Sequence, residues 1–367
     1  MKILSIFGTR PEAIKMAPIL ARLQQHYPEV ASVVCVTGQH REMLDQVLTL
    51  FGIVPDHDLS LMQANQTLST LTAEAIRRLD PILEAERPDW VLTQGDTTTA
   101  MVGSLAAFYH RCRVGHVEAG LRTWDKWQPF PEEVNRRIAD AIADLHFAPT
   151  PQSAENLLRE GVSPDGIEVT GNTVIDALQT VAGCPYDWTK GPLADLPREA
   201  TLVLVTAHRR ENFGAPLRDI CAALRSVATR FPSVHFVYPV HLNPNIRQPV
   251  EAALTGLPNL HLLPPLDYLP LVHLMKASSF VLTDSGGIQE EAPGLGKPVL
   301  VLREVTERPE GVAAGTVQLV GTDPLRIVEA VTTLLTNPEA YRRMATAVNP
   351  YGDGLASQRI LTRIVGK

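Results

Sequence analysis

At 367 residues the chain is too long for one ordinary domain and suits two. Hydrophobic residues at 45% and charged residues at 20% describe a soluble globular protein with a large core, and a formal net charge of −7 argues against nucleic acid as the main partner, because a phosphate backbone selects a basic face. Four scattered cysteines without paired spacing, an N-terminal apolar run too brief for a signal peptide, and no apolar run near the ~20 residues of a membrane span set the expected location as the reducing cytoplasm.

The first apolar run, Lys2–Phe7, reads as a strand and leads into FGTRPEAIKMAP, Phe7–Pro18. Thr9 and Glu12 fit a capping box and Pro11 falls in the first turn, so a helix is expected over Glu12–Gln25. Arg10 and Lys15 place cations near that helix start, where the macrodipole opposes them. A bound anion would offset the opposition, and a solvated charge pair accounts for the two residues equally well. A strand at Ser32–Val36 then meets Gly38-Gln39-His40 and a helix at Arg41–Phe51. Trp90–Thr93 meets Gly95-Asp96-Thr97 and a helix at Thr99–His110, Val114–Val117 runs into Glu118-Ala119-Gly120, and Leu145–Phe147 is the last strand of this half.

The segment Cys184–Glu199, rich in Pro, Gly and charge, is the expected internal boundary. Beyond it strands are predicted at Leu202–Thr206, Val234–Tyr238, Leu260–Leu263, Phe280–Thr283, Val299–Leu302 and Thr316–Leu319. Helices are predicted at Pro216–Arg230 and Leu325–Leu335, and at Leu355–Val365 after the turn cluster NPYGDG. Such alternation indicates an α/β chain of parallel sheets with helices on both faces. His208-Arg209-Arg210, His241-Leu242-Asn243 and Asp284-Ser285-Gly286-Gly287 follow strands, as the four polar clusters of the first half do. Open α/β sheets bind ligands at the carboxyl ends of their strands. Any one of the seven loops reads as an ordinary polar turn; together they point to one cleft between two domains.

Two constellations carry chemistry. In TDSGGIQEE, Thr283–Glu291, the Ser285-Gly286-Gly287 turn before a helix offers backbone amides and a positive dipole end to a phosphate. Neither a dinucleotide fingerprint nor a phosphate loop is present. Glu290 and Glu291 would repel a phosphate, so one of them is read as accepting from the hydroxyls of a ribose, against the alternative that acids in a first helical turn are stabilising anyway. The second constellation is Asp96, Glu118, Glu132 and His208, close to strand ends. A carboxylate at the tip of a buried strand is costly unless paired or working, and a set of acids with a histidine suits proton transfer. No serine nucleophile elbow and no HExxH or HxxEH metal spacing occurs.

Taken in order, FGTRPEAIKMAP, TGQHREMLDQVL, GDTTT, GHVEAGLRT, PEEVNRR, HRREN, YPVHLNPN, LTDSGGIQEEAPGLGKPVL, TERPEG and NPYGDG resemble the bacterial non-hydrolysing UDP-N-acetylglucosamine 2-epimerases across nearly the whole chain. The resemblance implies two Rossmann-like domains facing across a cleft in the glycosyltransferase-B manner: residues 1–171 with 353–367, whose terminal helix crosses back, and residues 172–352 for the nucleotide. It implies a homodimer, UDP-GlcNAc, UDP-ManNAc and UDP as ligands, surface polysaccharide synthesis downstream, and neither metal nor other cofactor. The implied reaction eliminates UDP across carbons 1 and 2, passes through 2-acetamidoglucal and adds UDP back with the proton on the other face.

By motif position the resemblance assigns catalysis to Asp96, Glu118, Glu132 and His208, without dividing base from acid. It assigns diphosphate contacts to Arg10, Ser285, Gly287 and Arg308, with Lys15 added to them, the ribose contact to Glu291, and the steadying of the acids to Arg136; Gly286 is counted with the substrate-binding residues. A second nucleotide-sugar pocket would use Gln39, Glu132, Arg209 and His241. The sequence departs from the pattern at Asn65, where regulated members carry arginine, and at Leu266 and Leu271, where relatives have Gln and Phe near the uracil. The competing expectations are a hydrolysing epimerase that releases UDP and ManNAc, a glycosyltransferase of the same architecture, and a non-catalytic UDP-sugar sensor.

Overall fold

The computed structural model describes residues 1–38, 41–62 and 66–366. The chain divides into two units, Met1–Ala177 with Tyr351–Lys367, and Leu178–Pro350. In the first, the strands β1 (Lys2–Phe7), β2 (Ala31–Val36), β3 (His57–Asp58), β4 (Trp90–Gln94), β5 (Arg113–Val117), β6 (Leu145–Ala148) and β7 (Ile167–Val169) form a parallel sheet in the order β3-β2-β1-β4-β5-β6-β7. In the second, β8 (Thr201–Thr206), β9 (Val234–Pro239), β10 (Leu260–Leu263), β11 (Phe280–Thr283), β12 (Val299–Val301) and β13 (Val317–Leu319) form a parallel sheet in the order β10-β9-β8-β11-β12-β13.

The eleven strands expected from sequence are all present, each within one residue of its expected ends. Their apolar runs are nearly continuous because both faces of a parallel sheet are covered; β4, WVLTQ, is buried along its whole length. β3 and β7 were not anticipated. They span two and three residues, neither has a buried residue, and so neither carries an apolar run to be read.

Both strand orders reverse once, between β1 and β4 in the first unit and between β8 and β11 in the second. At such a switch point consecutive loops leave in opposite directions and open a crevice at the carboxyl ends of the strands. Gly8-Thr9-Arg10 and Gly95-Asp96-Thr97 flank the first reversal. His208-Arg209 and Asp284-Ser285-Gly286 flank the second. The topology therefore places the sequence's unusual loops where its own sheets leave room for a ligand.

The helix Arg10–His26 starts with the expected capping box: the Glu12 carboxylate accepts from the Thr9 amide at 2.7 Å and the Gly8 amide at 3.0 Å. Gly8 has no room for a side chain, since a Cβ would fall 1.9 Å from Thr37 Oγ1. The Thr97 hydroxyl donates to the other Glu12 oxygen at 2.6 Å and so ties the loop after β4 to the loop after β1. Burial pushes the Glu12 carboxyl above its ordinary value, while the hydrogen bonds from Thr97, Thr9 and Gly8 partly offset this. The last helix, Ala356–Val365, belongs to the first unit, where the Asp176 carboxylate accepts from the Ser357 amide at 2.8 Å and its hydroxyl at 2.6 Å.

Candidate active site

In the first unit the chemistry gathers at the tips of β4 and β5. Glu118 follows β5 directly, is buried at 8% exposure, and has a left-handed backbone with φ of 65°. For a non-glycine residue that conformation costs roughly 1–3 kcal/mol, and it persists where surrounding contacts over-determine it. Lys15, Asn172 and Gln94 are among the side chains that supply those contacts. The Lys15 ammonium lies 2.5 and 2.7 Å from the two Glu118 oxygens, Asn172 Nδ2 donates at 2.9 Å, and Gln94 Nε2 donates to Oε2. Lys15, expected at an anion, therefore has a carboxylate of its own chain against it. Asn172 reaches Glu118 from a backbone pinned by its amide to Tyr351 O at 2.7 Å.

Asp96 stands one loop away at the end of β4. Arg136 Nη2 donates to Asp96 Oδ2 at 2.5 Å, and Asn135 Nδ2 donates to the Asp96 carbonyl at 3.0 Å. Both come from the helix Glu132–Ile142, whose first residue is Glu132, partly exposed, and whose second, Glu133, is fully buried. Glu133 accepts from the Thr123 and Trp124 amides at 3.1 and 3.2 Å and lies 3.3 Å from Arg136 Nη1. The helix start is thus tied to the loop after β5, and Arg136 is shared between Glu133 and Asp96. Arg10, at the start of its helix, is half-buried and meets no acceptor among the described residues.

Beneath these acids lies a network that the sequence motifs do not announce. His116 on β5 is wholly buried; its Nδ1 is 2.5 Å from Asp140 Oδ1 and its Nε2 is 2.7 Å from the Gly95 carbonyl. A carboxylate and a carbonyl both accept, so both ring nitrogens donate and the ring is an imidazolium. Burial pushes the His116 ring down, but the charge and hydrogen bond of Asp140 and the Gly95 carbonyl outweigh it, and the net shift is upward. Burial likewise pushes Asp140 up, yet His116 and Arg122 bring it down to about 2. Arg122 Nη2 reaches Asp140 at 2.6 Å and Glu160 at 2.5 Å. The imidazolium holds the carbonyl of Gly95, the residue before Asp96. His116 in VGHVEAG shares strand parity with Glu118, and that alternation was the available signal.

In the second unit, Ser285 is the N-cap of the helix Gly286–Gly294 and makes no side-chain cap bond, so the first-turn amides face outward unfilled by their own chain. Gly287 is exposed at that helix start. Arg209 lies close by: a Cβ added to Gly286 would sit 3.7 Å from Arg209 Nη2. The two acids that follow are each engaged. Glu290, given no role from sequence, accepts from Arg308 Nε, and Glu291 Oε2 accepts from the Tyr268 hydroxyl at 2.8 Å. Burial and the Glu291 charge push the Tyr268 phenol well above its ordinary value, so it remains a donor. Arg308, expected at a diphosphate, is thus positioned by Glu290.

His208 follows β8, with its ring 40% exposed and stacked on His241 at 5.9 Å between centroids, nearly parallel. Asp284, at the end of β11, accepts from the His208 and Arg209 amides, each at 2.8 Å. Leu266 and Leu271 pack into the apolar layer that also holds Ile288 and Val237. Gln39 and Asn65 lie outside the described residues. Among the described residues no group of three or more His, Cys, Asp or Glu side chains is placed to hold a metal ion, and no helix is long and apolar enough to cross a membrane.

A family model described as UDP-N-acetylglucosamine 2-epimerase matches residues 22–365. The chain is 53% identical over 365 residues to the UDP-N-acetylglucosamine 2-epimerase of Bacillus subtilis, covering 100% of this chain and 95% of that one. It is 55% identical over 367 residues to the enzyme of the same name from Yersinia pestis, covering 98% and 97%. Among solved structures it is similar to the UDP-GlcNAc 2-epimerase of Neisseria meningitidis bound to UDP-GlcNAc, with a TM-score of 0.90, 49% identity and full coverage of both chains. On fold, on sequence and on the length matched, the chain belongs to the UDP-N-acetylglucosamine 2-epimerase family.

Proposed function

We propose that the protein interconverts UDP-GlcNAc and UDP-ManNAc without releasing the sugar. The proton leaves carbon 2, the bond from carbon 1 to the diphosphate oxygen breaks, and the electron pair becomes the carbon 1–carbon 2 double bond of 2-acetamidoglucal. UDP then adds back to carbon 1 while carbon 2 takes a proton on its opposite face. Direct removal of that proton without elimination is very hard, because carbon 2 is not next to a carbonyl. The chemistry asks for a base, an acid and a hold on the leaving diphosphate.

The observation that carries this reading is the pairing of Asp96 with Arg136 and of Glu118 with Lys15 at the tips of adjacent strands. Glu118 receives Lys15, Gln94 and Asn172 and is suited to hold fixed negative charge beside an electron-poor sugar carbon. Asp96 and Glu132, each with part of its surface open, are assigned the proton at carbon 2. His208 is assigned the leaving-group side. The amides of Ser285, Gly286 and Gly287 with Arg10 and Arg308 are assigned the diphosphate, and Glu291 the ribose hydroxyls. The neisserial relative bound to UDP-GlcNAc supports the ligand class.

A proton NMR time course with UDP-GlcNAc in deuterium oxide tests the reading. The expected result is a mixture of the two UDP-sugars carrying deuterium at carbon 2. Free ManNAc with UDP as the main products makes the enzyme a hydrolase of the same elimination. Turnover only on addition of an acceptor makes it a transferase, and binding without exchange makes it a sensor; each of these overturns the proposal.

A further inference from the structure

The residue that joins His208 to the glycine-rich helix start is Asp284. β8 and β11 are paired in register, Thr206 opposite Thr283, with their hydroxyls 2.6 Å apart, and the Asp284 amide donates to the Thr206 carbonyl at 3.0 Å. The Asp284 side chain is fully buried between the two strand ends. Its Oδ2 accepts three hydrogen bonds, from the His208 amide at 2.8 Å, the Arg209 amide at 2.8 Å and Asn212 Nδ2 at 2.9 Å. Its Oδ1 has no hydrogen-bond partner among the described residues, and it lies 3.5 Å from His208 Nδ1.

The two oxygens of one carboxylate are thus used unequally. Three donors fix its plane and position, and the fourth direction points at the imidazole. A buried carboxylate oxygen without a donor is unfavourable, and a small turn of the His208 ring brings Nδ1–H from 3.5 Å onto Oδ1. Hydrogen bonds of this kind are often long in a ligand-free enzyme and shorten around the substrate.

We propose that Asp284 is the positioning residue of His208: it holds the proton on Nδ1, fixes the ring's aim, and leaves Nε2 to act on the substrate. This rests on the reading that His208 meets the substrate. Asp284 touches no reacting atom. It holds the proton on Nδ1 and supports the imidazolium whose Nε2–H donates to the departing diphosphate oxygen; Nε2 takes that proton back when UDP re-adds to carbon 1. Since Ser285 is the next residue, the same backbone also fixes where the diphosphate amides begin, so the imidazole and the anion site keep one register.

Asp284→Asn separates this role from that of a loop tie. The amide oxygen replaces Oδ2 and still accepts from His208 N, Arg209 N and Asn212. The amide NH2 then faces His208 Nδ1, which must offer a lone pair, and the ring proton moves to Nε2. The expected result is a fall in kcat of about 10²–10⁴-fold, as when a catalytic histidine is forced into the wrong tautomer. KM for UDP-GlcNAc and the affinity for UDP should stay within about threefold, since uniform binding is untouched. In ¹⁵N NMR of histidine-labelled protein, the His208 signals, assigned by their loss in His208→Ala, should report Nδ1–H in the unmodified enzyme and Nε2–H in Asp284→Asn. His208→Ala and the double variant should be equally slow.

Full kcat in Asp284→Asn, with His208→Ala inactive, overturns the positioning role and leaves the catalytic reading standing. Full activity in His208→Ala removes the reading itself. The unmodified enzyme alone decides the matter if the variant does not fold: a His208 ring found in the Nε2–H form overturns the proposal.

Discussion

The Lys15 ammonium and the Glu118 carboxylate, 103 residues apart in sequence, meet at 2.5 and 2.7 Å with side-chain exposures of only 15% and 5%. The pair ties the first helix of the chain to the tip of β5. It also explains how a carboxylate survives at the end of a buried strand on a left-handed backbone. A cation at a helix start and an acid at a strand tip are each unfavourable alone, and they resolve one another.

Lys15→Met should therefore destabilise the protein toward the lower end of the roughly 3–5 kcal/mol found when one partner of a buried pair is removed, because Gln94 and Asn172 still donate to Glu118. Glu118→Gln in the Lys15→Met background should recover about 1 kcal/mol, since the uncompensated charge is gone. Urea unfolding of the two single variants and the double variant measures this. Additive losses would mean that the two charges do not support each other.

How much of this was readable from the chain depends on the range of the contact. The strands were legible because buried parallel strands are apolar runs, and the loops stood out because glycines, acids and histidines interrupt those runs at their ends. Even the fate of Glu290 and Glu291 was half visible: the sequence said that they must turn away from a phosphate. It did not hold their partners, Arg308 and Tyr268, which arrive from other loops. His116 was missed because a lone histidine in an apolar strand has the pattern of a core residue, and nothing local marks Asp140, 24 residues on, as its counter-charge. Asp284 was visible only as part of a turn; its three donors come from a loop more than 70 residues earlier.

Tyr268 offers a test of the nucleotide side. Its hydroxyl bonds Glu291 at 2.8 Å, and both residues are buried. Tyr268→Phe removes one hydrogen bond that holds the Glu291 carboxylate in the position that would receive a ribose diol. The expected loss is about 1–2 kcal/mol of UDP affinity, the usual effect of removing one hydrogen bond to a charged group. Calorimetric titration should show UDP binding weakened about 5- to 30-fold, with kcat at saturating substrate within about threefold. A fall in kcat with unchanged UDP affinity would assign Glu291 to the reaction rather than to the ribose.

The buried His116–Asp140 pair predicts how stability follows pH. Folding raises the His116 pKa above 6.5, so the folded state binds that proton more tightly than the unfolded chain does. Its contribution is complete below about pH 6.5 and is lost as the pH rises through the folded value. Asp140 behaves oppositely: its pKa falls from 3.8 to about 2, so its contribution is present above about pH 4 and lost as the pH falls toward 2. The stability difference between the protein and His116→Asn should accordingly be larger at about pH 5.5 than at about pH 9.5, by urea unfolding in matched buffers. A difference that grows with pH would mean that the ring is neutral in the folded state, and one of its two acceptors would then lack a donor.

Gly120 closes the turn after Glu118, and two separate costs can be measured there. Its φ is 86°, and a Cβ would fall 2.2 Å from the Ser153 carbonyl oxygen and 2.9 Å from Leu157 Cγ. Its amide donates to Asp140 at 3.2 Å and its carbonyl accepts from Asn156 at 3.0 Å, so the backbone cannot withdraw without breaking both. Gly161 has a similar φ of 90°, but a Cβ there would meet nothing within 4 Å. Gly161→Ala should lose only the left-handed strain, about 1 kcal/mol, whereas Gly120→Ala should add an overpacking cost of about 1–3 kcal/mol. Thermal unfolding should thus show a clearly larger fall in Tm for Gly120→Ala, by several degrees at ~2–4 °C per kcal/mol for a domain of this size. Equal falls would mean that the helix Pro151–Arg159 gives way to the methyl at no cost, and that the tight seat beneath Glu118 does not depend on the glycine.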